Sequence, residues 1–352
     1  MKGMAASVSR KLHVVVMRSS VVAVWVVAAG CRTTPVIAPA STSGLPPAPP
    51  ARLQGLIGEY GPDSAIRIVL ERNGQLTVHS SAQPEATLNE IADDTFTQVG
   101  RSAPRYVFAR AGGGRVSQLT IGDVTLSRRS IGPESGSQLA VTPVRPIDEL
   151  RREALAASPP AEAGPFRTSD LVELTKLDPT IKLEIRYATS NNLFGTPFYT
   201  QPRAFLQRPA AEALVRANAA LRAQGYGLLV HDGYRPWSVT KMFWDAAPVD
   251  KRIFVANPAQ GSRHNRGAAV DLTLYDLATG AAVEMPSTYD ETTDRAAADY
   301  PGGTSRQRWL RELLRHAMEA QHFVVNPTEW WHFDYADWRQ YPIGNESFEQ
   351  LR

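Results

Sequence analysis

The chain has 352 residues, enough for two folded units and a tail. Its 38 basic and 35 acidic residues nearly cancel, leaving a formal net charge of +3 and no basic stripe of the kind nucleic-acid binding requires, so no nucleic-acid partner is expected. A hydrophobic content of 43% excludes a chain disordered throughout, and the lone cysteine, Cys31, excludes an intrachain disulfide.

Residues 1–30 carry scattered Lys2, Arg10, Lys11 and Arg18, then the apolar run Val21 to Val27 and the small residues Ala28, Ala29 and Gly30 directly before Cys31. A basic region, a short apolar region and a small-residue cleavage site follow the order of a secretory signal. The apolar run is too short to cross a bilayer comfortably. A cysteine in that place resembles a bacterial lipobox. The resemblance implies a lipid on Cys31, a membrane anchored through it, and a periplasmic lipoprotein of the bacterial cell envelope, held at the outer membrane. Residues 31–50 are mostly Thr, Pro, Ala and Ser, cannot bury apolar surface, and read as a flexible tether.

Over 51–130, Ile66, Ile68 and Leu70 alternate with polar neighbours, Asn73-Gly74 intervenes, and Leu76 and Val78 alternate again. Asn-Gly supplies the positive φ of a type I′ turn, so the spacing predicts a hairpin. Tyr106 to Phe108 and Val116 to Ile121 flank three glycines and predict a second hairpin, and Val124 to Arg128 adds a strand. The region reads as a small all-β accessory domain, an antiparallel sheet or barrel with no catalytic constellation, in which His79 is an exposed strand residue. It resembles the β-rich module that follows some serine-hydrolase domains of the penicillin-binding type. Residues 131–165, mixed and interrupted by proline, read as a linker with a short helix near Glu149–Ala157.

In the remainder, 166–352, Pro209 opens a helix carrying Leu214, Ala217 and Leu221, and Gly225 closes it. Gly227 to Val230 predicts a buried strand running into Asp232-Gly233-Tyr234-Arg235-Pro236, and Ala268 to Leu274 another. Thr304 or Ser305 caps a helix whose apolar positions Leu310, Leu313, Leu314, Ala317 and Met318 follow the 3.6-residue period. Phe323 to Val325 is a strand that Pro327 breaks. Helices and strands mix without regular βαβ alternation, which predicts an α+β fold with a small antiparallel sheet and packed helices.

Polar residues of metal-ligand type gather in three short segments: Ser262 to Asp271, Glu329 to His332, and Asp232 to Arg235. With thiolate absent, a catalytic zinc takes imidazole nitrogen and carboxylate oxygen from three ligands and keeps one open position. His264, Asp271 and His332 would form such a set. Asp271 sits in the apolar run Ala268-Ala269-Val270-Asp271-Leu272, where a carboxylate is costly to bury unless paired or metal-bound. Glu329, three residues before His332, would place a general base beside the metal. The two tryptophans between them would exclude water, one of them packing into the core. Taken singly, His264 reads as a loop histidine and Arg235 as half of a structural ion pair. Jointly the segments are specific.

His264-x6-Asp271 followed by Glu329-x-x-His332 resembles the zinc peptidases of family M15, which include D-alanyl-D-alanine carboxypeptidases and the D-alanyl-D-alanine dipeptidases of the vancomycin-resistance type. The dipeptidase branch fits best, over roughly 167–345. Its motifs appear in order as Ile185 to Thr189, Asn192, Gly195, Asp232 to Pro236, Ser262-x-His264-x-Arg266-Gly267, Asp271 to Tyr275 and Glu329 to His332. The resemblance implies one Zn2+ on His264, Asp271 and His332, with Glu329 as catalytic base and Arg235 polarising the scissile carbonyl. It also implies Ser262 and Asp290 lining the dipeptide pocket, Asp290 pairing with the substrate ammonium, with Glu291 and Asp294 as nearby alternatives. The chain departs from the pattern at Asn192-Leu193-Phe194-Gly195, where Asn-Phe-x-Gly is more usual. The implied substrate is D-Ala-D-Ala or a related peptidoglycan dipeptide. Competing readings are a zinc D,D- or L,D-carboxypeptidase trimming stem peptides, and a non-catalytic lipoprotein that binds zinc or peptidoglycan.

Overall fold

The structure is a computed structural model that describes residues 44–112, 114–130 and 141–351. The signal segment, most of the tether and Cys31 lie outside the described residues.

A single turn, α1 (Ala51–Gln54), leads into eight strands: β1 (Gly58–Tyr60), β2 (Arg67–Arg72), β3 (Gln75–Ser80), β4 (Gln83–Ala92), β5 (Thr95–Gln98), β6 (Arg105–Arg110), β7 (Val116–Ile121) and β8 (Val124–Ser127). Each pairs antiparallel with the next. The β2–β3 turn is Asn73-Gly74 with φ of 50° and 85°, the left-handed pair a type I′ hairpin needs. A bridge between Tyr60 and Arg128, flanked by Arg129 N donating to Glu59 O (2.8 Å) and Gly61 N to Ser127 O (2.9 Å), joins the last strand to the first and closes a barrel. Tyr60, Val69, Leu76, Phe96, Phe108 and Leu119 fill its interior.

The larger body is built on a second sheet. Its strands are β10 (Lys182–Leu183), β12 (Tyr226–Asp232), β13 (Ala269–Asp276), β14 (Phe323–Asn326) and β15 (Glu329–Tyr335), in the order β10-β12-β13-β15-β14. Only the β10–β12 pair is parallel. A two-stranded ribbon, β9 (Leu171–Glu173) and β11 (Phe205–Gln207), lies beside it. Helices α4 (Arg208–Arg222) and α6 (Ser305–Glu319) pack on the sheet, and α3 (Leu174–Leu177) is a single turn against α4. Pro209 stands at the start of α4, where its missing N–H costs nothing. Thr304 caps α6 in a reciprocal box with Gln307. This mixed helix and sheet content agrees with the expected fold class for the body.

Part of the stretch read as a linker is built into this body. Helix α2 (Ile147–Ala156) lies against α5 (Trp237–Ala246), with Leu150 and Ala154 fully buried in the main core. Val141 N donates to Leu193 O and Val144 N to Ala246 O, which fixes the approach to the helix. The prolines that suggested a spacer instead mark the entry to α2, whose N-cap is Pro146.

Candidate active site

Strand register brings the polar segments to one level of the sheet. Asp271 on β13 is paired with His332 on β15 on one side and with Asp232 on β12 on the other. The β12 ladder slips by one residue between Val230 and Asp232, a bulge of the kind that re-aims side chains beside active sites. His264 comes from the 3-10 turn His264–Arg266 just before β13. Gly267 ends that turn at φ 65°, and a Cβ there would press on the Leu171 side chain, so the left-handed backbone and the close packing both favour glycine between the histidine turn and the strand.

His264, Asp271 and His332, all buried, offer ligand atoms that lie within 4.8 Å of one another. Nε2 of His264 is 3.2 Å from Nδ1 of His332, which is 2.9 Å from Oδ1 of Asp271. The outer ring nitrogens are committed elsewhere. His264 Nδ1–H donates to Gly233 O (2.8 Å) and His332 Nε2–H to Asp334 Oδ1 (2.9 Å), since a carbonyl and a carboxylate only accept. Asp334 in turn pairs with Arg263 (3.0 Å), and the second oxygen of Asp271 accepts from Tyr289 OH (3.1 Å). Burial works against a charge on His332, but its hydrogen bonds to Asp271 and Asp334 lift its pKa to about 10. Burial likewise pushes Asp271 up, and the two imidazoles overcome it and hold its carboxyl well below the usual range. Two imidazoles and a carboxylate aimed at one point, each imidazole oriented from behind, fit a divalent cation of the zinc type.

The cavity over this cluster has a volume of ≈ 540 Å³ and is also lined by Arg235, Ser262, Asp290, Glu329, Tyr187 and Trp331. The structure therefore brings together every site residue expected within the described residues. Glu329 Oε2 is 3.8 Å from His332 Nδ1 and accepts from Asn326 Nδ2 (3.0 Å), and burial raises its pKa. Arg235, 8% exposed, gives Nε and Nη2 to Oδ2 of Asp232 (3.0 and 2.7 Å), whose Oδ1 accepts from Tyr199 OH (2.7 Å). Burial disfavours the guanidinium charge, but Asp232 outweighs it and holds the Arg235 pKa above its ordinary value. Ser262 Oγ accepts from His264 N (3.0 Å), bracing the histidine turn while facing the cavity.

Asp290 accepts from Tyr187 OH (3.2 Å) and from Leu193 N (3.3 Å). Burial, with Asp271 nearby, raises its pKa to about 8. Glu291 instead turns to Thr288, Thr293 and Arg295, and neither it nor Asp294 lines the cavity. The departure at Asn192 to Gly195 keeps a framework role. The Asn192 amide donates to the carbonyls of Thr189 and Thr196, and Phe194 packs on Phe198 and Phe243. Trp331 faces the cavity while Trp330, on the other side of β15, donates Nε1–H to Ser287 Oγ (2.8 Å). Sequence reasoning missed Tyr289, Asp334 and Asn326. Only Asp334 carried a local signal, lying two residues beyond His332 and thus on the same strand face.

The sequence profile of the Peptidase_M15 family, described as D-ala-D-ala dipeptidase, matches residues 167–348. The chain is 33% identical over 181 residues to a D-alanyl-D-alanine dipeptidase of Escherichia coli K12, covering 51% of this chain and 92% of that protein. It is 34% identical to one of Enterococcus faecium and 35% identical to one of Enterococcus faecalis, in each case covering 45% of this chain and 87% of the relative. All three matches cover about half of this chain.

Loss of the carboxylate behind His332 tests the ligand geometry. Asp334→Ala should weaken binding of zinc by roughly 10- to 100-fold, read by competition with a chromophoric chelator. Unchanged affinity would remove Asp334 from the site.

Proposed function

The chain belongs to the Peptidase_M15 family of D-alanyl-D-alanine dipeptidases, and on that premise we propose that it hydrolyses D-alanyl-D-alanine-type dipeptides with a zinc ion held by His264, Asp271 and His332. The observation that carries this reading is the convergence of those three side chains within 4.8 Å of one another in a cavity that Glu329 and Arg235 also line. When bound, zinc supplies a Lewis acid and an acidified water. Glu329, its pKa raised by burial, accepts a proton from the attacking water and returns it to the leaving amine. Arg235 is locked through Nε and Nη2 to Asp232, which leaves Nη1 for the carbonyl oxygen as charge develops on it. Such a preorganised donor typically contributes about 3–4 kcal/mol. Trp331 keeps bulk water from the site.

Asp290 favours a dipeptide over a longer stem peptide. A buried carboxylate in the cavity needs a cation, and a free dipeptide brings an ammonium group where a stem peptide brings an amide. Ser262 offers its hydroxyl on the same wall. The order of residues 1–31 supports delivery to the cell envelope and anchoring through Cys31. In that setting the activity serves turnover or scavenging of peptidoglycan peptides.

Four outcomes test these assignments. Glu329→Gln should keep its zinc, measured by metal analysis, and lose D-Ala-D-Ala cleavage by about 10²-fold or more; retained turnover removes Glu329 from the mechanism. The same assay on a pentapeptide stem separates the carboxypeptidase reading, which requires that substrate to be preferred. Asp290 must ionise to bind an ammonium group, and its pKa of about 8 lies above neutrality. KM for the dipeptide should therefore fall as pH rises from about 6 to 7.5, by at most roughly tenfold per unit, and Asp290→Asn should flatten that profile. Labelling with radioactive palmitate in a bacterial host should mark the wild-type protein and not Cys31→Ser; equal labelling would refute the anchor.

A further inference from the structure

Residues 284–304, in the connection from β13 to α6, hold only one 3-10 turn, Asp294–Ala296, yet their polar groups are anchored along most of the length. At the near end Tyr289 OH donates to Asp271 and Asp290 accepts from Tyr187 and Leu193, all at the site, while Ser287 Oγ accepts from Trp330 away from the cavity. Midway, Ala298 N donates to Pro327 O, in the turn that precedes Glu329.

At the far end the anchors come from the barrel. Tyr300 OH donates to Oε1 of Glu59 on β1 (2.8 Å), and both side chains are buried. The other oxygen of Glu59 pairs with Arg129 (3.2 Å). Glu71 on β2 is 1% exposed, and its backbone N donates to Gly303 O (3.1 Å) while its Oε2 accepts from Ser305 N (2.8 Å). Arg308 of α6 closes the arrangement, donating Nη2–H to Glu71 O (2.6 Å) and Nη1–H to Gly303 O (3.0 Å).

We infer that the barrel is a positioning module for substrate binding, in which Glu59 and Glu71 hold the far end of segment 284–304 and thereby fix Asp290 in the cavity. The inference rests on the reading of Asp290 as the ammonium partner. Two features support it. Asp290 has φ 60°, a left-handed state that an aspartate tolerates at some cost and that the bonds to Tyr187 and Leu193 hold in place. The nine residues between Asp290 and Tyr300 make no strand ladder and are held in between by Arg295 Nη2 on Pro286 O and Ala298 N on Pro327 O. The place of Asp290 therefore depends on a run of single contacts that ends at Tyr300, and ordering such a segment costs conformational entropy at every residue. Glu59 and Glu71 touch no substrate, so they are positioning residues and not catalytic ones.

The test uses the full chain loaded with zinc. Tyr300→Phe deletes one oxygen and leaves Glu59 its Arg129 partner; Glu71→Ala removes the carboxylate that holds Ser305 N while the Glu71 backbone keeps Gly303 and Arg308, and Glu71→Gln keeps an oxygen to accept from Ser305 N. Tyr300→Phe and Glu71→Ala should each raise KM for D-Ala-D-Ala about five- to tenfold with kcat within about twofold. Zinc content should stay the same, and amide hydrogen exchange over 287–293 should quicken. Glu71→Gln should recover most of the loss. Wild-type KM and exchange in both variants would overturn the inference, as would a lower melting temperature with KM unmoved, which marks the barrel as a purely stabilising neighbour. Should the unmutated protein fail to cleave the dipeptide, the proposed function falls, and exchange over 287–293 in Tyr300→Phe still decides whether the barrel holds the segment.

Discussion

Asp271 is the constraint around which the site is arranged. It sits in the middle of β13 with apolar neighbours on either side in sequence, and it is 4% exposed. An ionised carboxylate cannot be taken there without compensation, because desolvation costs far more than a fold of ordinary stability can absorb. The chain answers with two imidazoles on one oxygen and the Tyr289 hydroxyl on the other. Each imidazole is oriented from behind, by the Gly233 carbonyl or by Asp334. The bulge in β12, the glycine at the end of the His264 turn and the pairing of Asp271 with His332 all serve to bring these groups to one place.

The parts of the molecule that could be read from sequence are those whose cause is local. Asn73-Gly74 announced its hairpin because few residue pairs tolerate two successive positive φ values. Thr304 or Ser305 announced the start of α6 because a capping hydroxyl satisfies helix donors by itself; the structure gives the cap to Thr304. The metal-ligand set was legible because a lone aspartate in an apolar run demands an explanation. Strands β4 and β5 were not legible: β4 is mostly exposed, with only Ala86 and Leu88 buried, so it lacks the alternation that marks a half-buried strand. Helix α2 was legible as a short helix, but the prolines ahead of it hid that it packs into the larger body. Tyr289, Asn326 and the barrel anchors Glu59 and Glu71 were beyond reach, because their partners are chosen by the tertiary fold.

The barrel and the larger body keep separate apolar cores. Two buried carboxylates of the barrel, Glu59 and Glu71, each accept a hydrogen bond from the larger body. Contacts of this kind add less to stability than apolar burial but fix orientation closely, because a small rotation would leave a carboxylate unpaired in a dry place. That suits an arrangement in which relative placement matters more than adhesion.

Closure of the barrel through Tyr60 and Arg128 has its own effect. An open sheet of this length would present a row of free amides and carbonyls at its first and last strands, where a second molecule could continue the ladder. Here the ends of β1 and β8 meet through one bridge and two backbone bonds, so part of the edge that could template such growth is already occupied. A second molecule would find that stretch of backbone taken by the barrel's own chain.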